Sequence, residues 1–156
     1  MGSGSSFTMP SDPAEPPARP LLVDTNVLTW LLNPKTPRPE WDRLATGRTL
    51  YLSFATVGEI LHGARPWGAD RRQALEDRLA SWPVIPGTIG VARKFAELRS
   101  RYHTQIGDND LWIAACALSR PDPLPLATDD GDFDRIRDEF GLVIERPAPR
   151  SEGRSG

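Results

Sequence analysis

LLVDTNVLTWLL, at residues 21–32, joins a short apolar run directly to a segment with helical character. The run Leu-Leu-Val is typical of a buried strand, and the residues from Thr25 onward favour a helix. Four more short apolar runs follow, separated by helical stretches, at 50–52, 83–86, 124–127 and 142–145. Strands that alternate with helices favour a parallel sheet covered on both faces. We therefore predict an α/β protein, a three-layer α/β/α sandwich with a central parallel sheet of about five strands.

Length and composition indicate one folded domain. The 156 residues are 38% hydrophobic and 26% charged, with a formal net charge of -2, which is typical of a globular domain. Proline, glycine and serine are frequent at both ends, so we predict a disordered N-terminal tag or tail at 1–20, a folded domain at 21–146 and a disordered tail at 147–156. No apolar run approaches the roughly 20 residues that span a bilayer, and no secretory signal is recognisable. We expect a cytoplasmic protein with no membrane partner.

Cysteine and histidine are too scarce to build a zinc site or internal crosslinks. The chain has one cysteine, Cys116, and two histidines, His62 and His103. A single cysteine forms no internal disulfide. Any metal site would therefore consist mainly of carboxylate oxygens, which are the ligands that Mg²⁺ and Mn²⁺ prefer.

Aspartates stand where two of the predicted strands end. Asp24 follows the first strand directly, and Asp129, Asp130 and Asp132 follow the fourth. Ligands of open parallel sheets bind beyond the carboxyl ends of the strands, so these acids are candidate metal ligands. Helix capping is the alternative for Asp24. Turns and caps would explain one or two of the later three, but three adjacent carboxylates repel one another unless a cation or arginines compensate.

Two further acids lie on predicted helices. Glu59 lies opposite the apolar stripe of its helix, so an ordinary exposed glutamate is the alternative to a functional one. Asp110 shares a face with Ile113 and Ala114, which predicts a position at the border of the core. An unpaired carboxylate is costly there, and a metal ion would supply its partner. Carboxylates from four separate segments match the needs of a divalent-cation phosphodiesterase.

Charge is segregated along the chain. Eight basic residues accompany four acidic ones between Arg65 and Arg101, whereas seven aspartates accompany one arginine between Asp108 and Asp134. The first segment indicates a nucleic-acid surface and the second a cation site. Solvated helix faces are the alternative for the basic residues. The candidate RNA-binding residues are Arg71, Arg72, Arg93, Arg99 and Arg101.

These segments together resemble the PIN-domain ribonucleases, and within them the VapC-type toxins of bacterial type II toxin–antitoxin pairs. LLVDTNVLTWLL, SFATVGEILHGA, NDLWIAACAL and LATDDGDF are similar to the four acidic motifs of the family. The resemblance covers nearly all of 21–146. It implies an Mg²⁺- or Mn²⁺-dependent endoribonuclease that cuts tRNA, rRNA or mRNA and inhibits translation. It also implies a homodimer and a cognate antitoxin that masks the acidic site.

The same resemblance assigns roles to single residues. The catalytic acids are Asp24, Glu59, Asp110 and Asp130. Metal ligands among them are Asp24, Asp110 and Asp130, with Asp132 and Asp108 in reserve, and the orienting residues are Thr25, Asn26 and Thr128. Two other functions stay open, namely a catalytically silent PIN-fold module that binds RNA or a partner, and a structure-selective DNA nuclease.

Overall fold

The computed structural model describes residues 18–35 and 37–147, and within these ranges it contains five strands and seven helices. The predicted tails lie outside the described residues, apart from residues 18–20 and 147. The elements are β1 Leu21–Val23, α1 Thr25–Leu32, α2 Pro39–Ala45, β2 Leu50–Ser53, α3 Phe54–Gly63, α4 Ala69–Leu79, β3 Val84–Ile85, α5 Ile89–Tyr102, α6 Asp108–Leu118, β4 Leu126–Ala127, α7 Phe133–Phe140 and β5 Ile144–Glu145.

The five strands form one parallel sheet with the order β3-β2-β1-β4-β5. Leu22 of the central strand lies beside Tyr51 of β2 and Leu126 of β4. Side chains alternate between the faces of a strand, so Leu22 packs into one core cluster while Leu21 and Val23 pack into another. The predicted α/β/α sandwich is confirmed.

The strand order reverses beside β1. The chain runs from β1 through β2 to β3 on one side, and then crosses to β4 on the other side of β1. Such a reversal opens a crevice at the carboxyl ends of the two strands concerned, where open sheets bind ligands. Asp24 follows β1 and Thr128 follows β4, so this crevice is where the candidate site lies.

The helix starts show which local expectations hold. Serine is a favoured N-cap residue, and Ser53 caps α3: its hydroxyl accepts a hydrogen bond from the Ala55 N–H at 3.0 Å. The periodicity of the sequence does not predict α2, which begins at Pro39, a favoured first helical residue. This short helix buries Trp41, whose ring centroid lies 5.5 Å from that of Trp30. In the described ranges no helix is both long and apolar enough to cross a membrane.

Candidate active site

Asp24 is a buried carboxylate at the centre of the sheet edge. It occupies the N-cap position of α1 and its backbone carbonyl accepts from Leu28, but its side chain makes no capping hydrogen bond. Its Oδ2 accepts a hydrogen bond from the Thr128 hydroxyl at 2.6 Å. Burial raises the pKa of Asp24 above its usual range, and the Thr128 hydrogen bond opposes that rise. The capping alternative therefore does not account for this side chain.

Glu59 is the exposed carboxylate of the site. It projects from α3 into solvent, whereas Ile60 and Leu61 of the same helix are partly buried against the core. The Thr25 hydroxyl donates to Glu59 Oε1 at 2.6 Å and lies 3.1 Å from the hydroxyl of the buried Thr56. Two threonines from α1 and α3 thus hold Glu59 beside the end of β1.

Asp110 lies in the first turn of α6, at the border of the core as predicted. It is half-buried, and the next residue, Leu111, is fully buried. Gly107 occupies the N-cap position of α6, so no side chain caps this helix. Among the described residues, none donates a hydrogen bond or forms an ion pair with the Asp110 carboxylate. It is an acid without a compensating cation.

The loop after β4 supplies the remaining acids. Thr128 is buried, and its hydroxyl oxygen accepts from the Asp130 N–H at 3.0 Å while its proton goes to Asp24. Asp130 Oδ1 accepts from the Asp132 N–H at 2.9 Å, which closes a local turn. Asp132 precedes α7 but makes no side-chain capping bond. The turn alternative therefore accounts for one oxygen of Asp130 and leaves the Asp132 carboxylate without a local role.

Three carboxylates from the two segments meet in space. Asp110, Asp130 and Asp132 each offer an oxygen within 4.8 Å of the others. Burial, and then the charge of Asp130, raises the pKa of Asp110 to about 7. The charges of Asp24 and Glu59 contribute to the same rise, so the five acids form one electrostatic unit.

The donor set of this unit fits a divalent cation. Its ligands are hard oxygen atoms, the class that Mg²⁺ and Mn²⁺ prefer. In the described part of the chain, no lysine or arginine forms an ion pair with Asp110, Asp130 or Asp132. A cation would offset both the burial of the Asp110 charge and its repulsion by the neighbouring acids, which together raise the pKa of Asp110.

Two residues named by the sequence lie apart from this unit. Asp108 is exposed and pairs with Arg99 of α5. Asn26 is exposed on α1, and its side chain makes no hydrogen bond with a described residue. Thr25 and Thr128, in contrast, each donate to one of the acids.

The candidate RNA-binding arginines differ in how far they are already engaged. Arg99 also donates to the Ile106 carbonyl, and Arg101 pairs with Glu139 at 2.6 Å. Arg72 donates to the carbonyls of Arg65 and Trp67 and so fixes the turn between α3 and α4.

Arg71 and Arg93 remain open to a partner. Arg71 is exposed, and its guanidinium lies 3.6 Å from the centre of the Trp67 ring. Arg93 is exposed on α5 and makes no hydrogen bond or ion pair with another described residue. Within the predicted set, these two arginines are the ones whose guanidinium groups form no hydrogen bond or ion pair with a described residue.

A groove leads away from the acids between α1, α3 and α4. It encloses about 920 Å³, begins at Thr25 and Glu59, and has a floor of apolar side chains. The cationic side chains on its wall are Lys35, Arg71 and Arg78. A second hollow of about 590 Å³ lies on the other side of Glu59, beside Phe54 and Trp112.

Two residues of the site are not found by the sequence search. Thr56 supports the Thr25–Glu59 pair, and Arg146 contacts the loop that carries Asp130. The sequence analysis considers acids at strand ends, and neither Thr56 nor Arg146 is an acid. Arg146 directly follows β5, so the same strand-end criterion would have found it if basic residues had been included.

The fold and the site define a chain with carboxylates gathered at the switch point of a parallel sheet. The family model of the PIN domain matches residues 21–139, and the chain belongs to this family.

The relatives of the chain are ribonucleases of the VapC type. It is 33% identical to ribonuclease VapC5 of Mycobacterium tuberculosis over 108 residues, 67% of this chain and 77% of that protein. It is 29% identical to VapC ribonuclease Y4jK of Sinorhizobium fredii over 112 residues, 64% of this chain and 80% of that protein. Among solved structures, the chain is similar to VapBC-5 of M. tuberculosis, a member of the VapBC family of toxin–antitoxin systems, with 27% identity and a TM-score of 0.54. The similarity covers 85% of this chain and 100% of that chain.

Proposed function

We propose that this chain is a divalent-metal-dependent endoribonuclease and the toxin of a toxin–antitoxin pair, with Mg²⁺ or Mn²⁺ as its cofactor. The observation that carries the proposal is the meeting of Asp110, Asp130 and Asp132 within 4.8 Å beside the buried Asp24. The VapC ribonucleases to which the chain is similar support RNA as the substrate. Cleavage of tRNA, rRNA or mRNA would inhibit translation.

We assign metal binding and proton transfer to different side chains of the site. Asp24, Asp110 and Asp130 would hold the ion, with Asp132 as a further ligand. When bound, a divalent ion lowers the pKa of a water molecule and offsets the negative charge that develops on phosphate oxygens.

Glu59 suits a different role from the buried acids. Hydrolysis forms a bond between a water oxygen and phosphorus and breaks the bond to one ester oxygen, so the water must lose a proton and the departing oxygen must gain one from solvent. Glu59 is exposed, is fixed by the Thr25 hydroxyl and lines both hollows of the site. We assign it to accepting that proton or orienting the water that loses it.

The RNA backbone requires positive charge close to these acids. Lys35, Arg71 and Arg78 line the groove that begins at Glu59, and cationic side chains on such a path position phosphates without reading sequence. Arg93 is the other predicted arginine whose guanidinium forms no hydrogen bond or ion pair with a described residue. Arg72, Arg99 and Arg101 are engaged within the chain and do not line the groove, so they would contribute less.

Partners complete the proposal. A cognate antitoxin is the expected protein partner, because VapBC-5, which the chain resembles, belongs to the toxin–antitoxin systems. A homodimer and a cytoplasmic location, where translation takes place, remain predictions from the sequence.

Cleavage of a defined tRNA, with and without metal, tests the proposal. Activity should vanish in excess chelator and return with Mg²⁺ or Mn²⁺. Asp110→Asn should reduce cleavage at least about a hundredfold, because it removes a ligand charge without removing volume. Asp129→Asn is the matched control: it removes the same charge one residue from Asp130, at an exposed position outside the cluster.

The outcomes separate the two other functions left open by the sequence. RNA binding without cleavage under any metal would indicate a silent binding module. Preferential cleavage of branched or duplex DNA would indicate a DNA nuclease. Cleavage that persists in chelator would refute the metal mechanism.

A further inference from the structure

Arg146 is a cation beside the acidic loop that has no role in the chemistry proposed above. It directly follows β5, whose Glu145 lies beside Ala127 of β4. This register brings Arg146 alongside Thr128, the residue that follows β4. The side chain is 31% exposed, so it lies against the protein rather than in open solvent.

The guanidinium binds the loop at three points. Nε donates to the Thr128 carbonyl at 3.1 Å, and Nη2 donates to the Asp130 carbonyl at 3.4 Å. Nη2 also donates to Asp134 Oδ1 at 2.8 Å. Two backbone carbonyls and one α7 carboxylate are thereby held by one rigid planar group.

These contacts hold the backbone of the loop and leave the side-chain carboxylates of Asp130 and Asp132 unpaired. Arg146 makes no ion pair with Asp130 or Asp132, which leaves their oxygens free to approach Asp110. Within the loop, the Thr128 hydroxyl accepts from the Asp130 N–H and Asp130 accepts from the Asp132 N–H. Arg146 donates to two carbonyls of the same segment, so both N–H and C=O groups of the loop form hydrogen bonds.

We infer that Arg146 is a positioning residue for the metal centre, which holds the loop 128–132 so that Asp130 and Asp132 meet Asp110. The inference rests on the proposed metal-dependent function. Groups that orient metal ligands commonly change metal affinity 10–100-fold when removed. Lysine would keep the charge but not the planar fork that reaches three acceptors.

A calorimetric titration with Mn²⁺ tests this role on the full chain. We expect Arg146→Gln to weaken Mn²⁺ binding by about 10–100-fold and Arg146→Lys by roughly 10-fold. Amide hydrogen exchange at residues 129–132 should quicken in both variants, because the Arg146 contacts to their backbone are lost or reduced.

Arg48→Gln is the matched control. Arg48 also binds the end of β5, through both oxygens of Glu145 at 2.6 and 3.0 Å, but it has no contact with the loop 128–132. The Arg48→Gln variant should be less stable than the wild type, but it should keep wild-type Mn²⁺ affinity and wild-type rates of amide hydrogen exchange at residues 129–132. Should Arg146→Gln fail to fold, Arg146→Lys carries the same comparison.

Each result bears on the inference separately from the proposed function. Wild-type Mn²⁺ affinity in folded Arg146→Gln or Arg146→Lys would overturn the inference and leave the ribonuclease proposal intact. Equal weakening by Arg48→Gln would also overturn it, because general loosening of β5 would then suffice. A wild-type chain that neither binds Mn²⁺ nor cleaves RNA would overturn the proposed function and this inference with it.

Discussion

Replacing Asp110 with asparagine should make the metal-free protein more stable at neutral and alkaline pH. Burial and then the charge of Asp130 raise the pKa of Asp110 from 3.8 to about 7. One pKa unit corresponds to about 1.4 kcal/mol, so ionised Asp110 weakens folding by roughly 4 kcal/mol at most. Partial exposure lets solvent screen some of this, and we expect a gain of roughly 2–4 kcal/mol in Asp110→Asn.

The pH dependence of that gain follows from the direction of the pKa shift. Below pH 3.8 the carboxyl is protonated in both states and the aspartate carries no penalty. Between that value and about 7 the unfolded chain releases its proton first, so wild-type stability falls as the pH rises. Above this window the full penalty applies. The gain in Asp110→Asn should therefore be about 2 kcal/mol larger at pH 8 than at pH 5.

Urea unfolding in excess chelator, at pH 5 and pH 8, measures the effect. Asp129→Asn serves as control and should shift the free energy of unfolding by less than about 0.5 kcal/mol, because Asp129 is exposed and outside the cluster. Adding Mn²⁺ should stabilise the wild type more than Asp110→Asn, since the ion binds only where its ligands are intact. A loss of stability in Asp110→Asn at pH 8, or a gain independent of pH, would refute the electrostatic account.

Three further predictions concern the fold around the site. His103 has φ 52 and ψ -123 in the turn where the Tyr102 carbonyl accepts from the Gln105 N–H at 2.9 Å. Glycine adopts this conformation without strain, so His103→Gly should add about 1 kcal/mol to the free energy of unfolding, whereas His103→Ala should not. Equal stability of the wild type and both variants would show that the turn is not strained. Glu145 has its pKa lowered by Arg48, so Glu145→Gln should cost about 1–2 kcal/mol at pH 7, and urea titrations should show that difference shrinking as the pH falls below 4.5. Thr128→Val should cost about 1–3 kcal/mol in thermal unfolding by removing the donor to buried Asp24, whereas Thr128→Ser should retain it; equal losses would point to packing instead.

The sheet and the strand-end acids could be predicted because both depend on local patterns. A run such as Leu21–Val23 is too short for a helix and too apolar for a loop, and a residue directly after it must lie at the edge of the sheet. This criterion predicts Asp24 and the acidic group Asp129, Asp130 and Asp132 as candidates, and the resemblance to the PIN family singles out Asp130 within that group. The fold class follows from the alternation of such runs with helices, and the structure confirms it.

The contacts between distant segments could not be predicted from the sequence. The pair between Arg99 and Asp108 depends on how α5 packs against α6, and Asp108 is not among the three acids whose oxygens meet at the site. The sequence marks Arg99 as a basic residue but not as one already engaged. The same applies to Arg146, whose contact with the loop after β4 depends on the pairing of β4 with β5.

The arrangement of the acids opposes stability, and this supports a functional explanation for it. Asparagine at position 110, in the first turn of α6, would give up at most about 1 kcal/mol of helix-dipole interaction and would bring no charge to the border of the core. Instead Asp110 lies against two more carboxylates, and no cation among the described residues pairs with it. Arg146 binds the backbone of the acidic loop and forms no ion pair with Asp110, Asp130 or Asp132. Repulsion that is preserved in this way is expected of a site whose counter-ion comes from solution, because a resident arginine on the acids would compete with the metal.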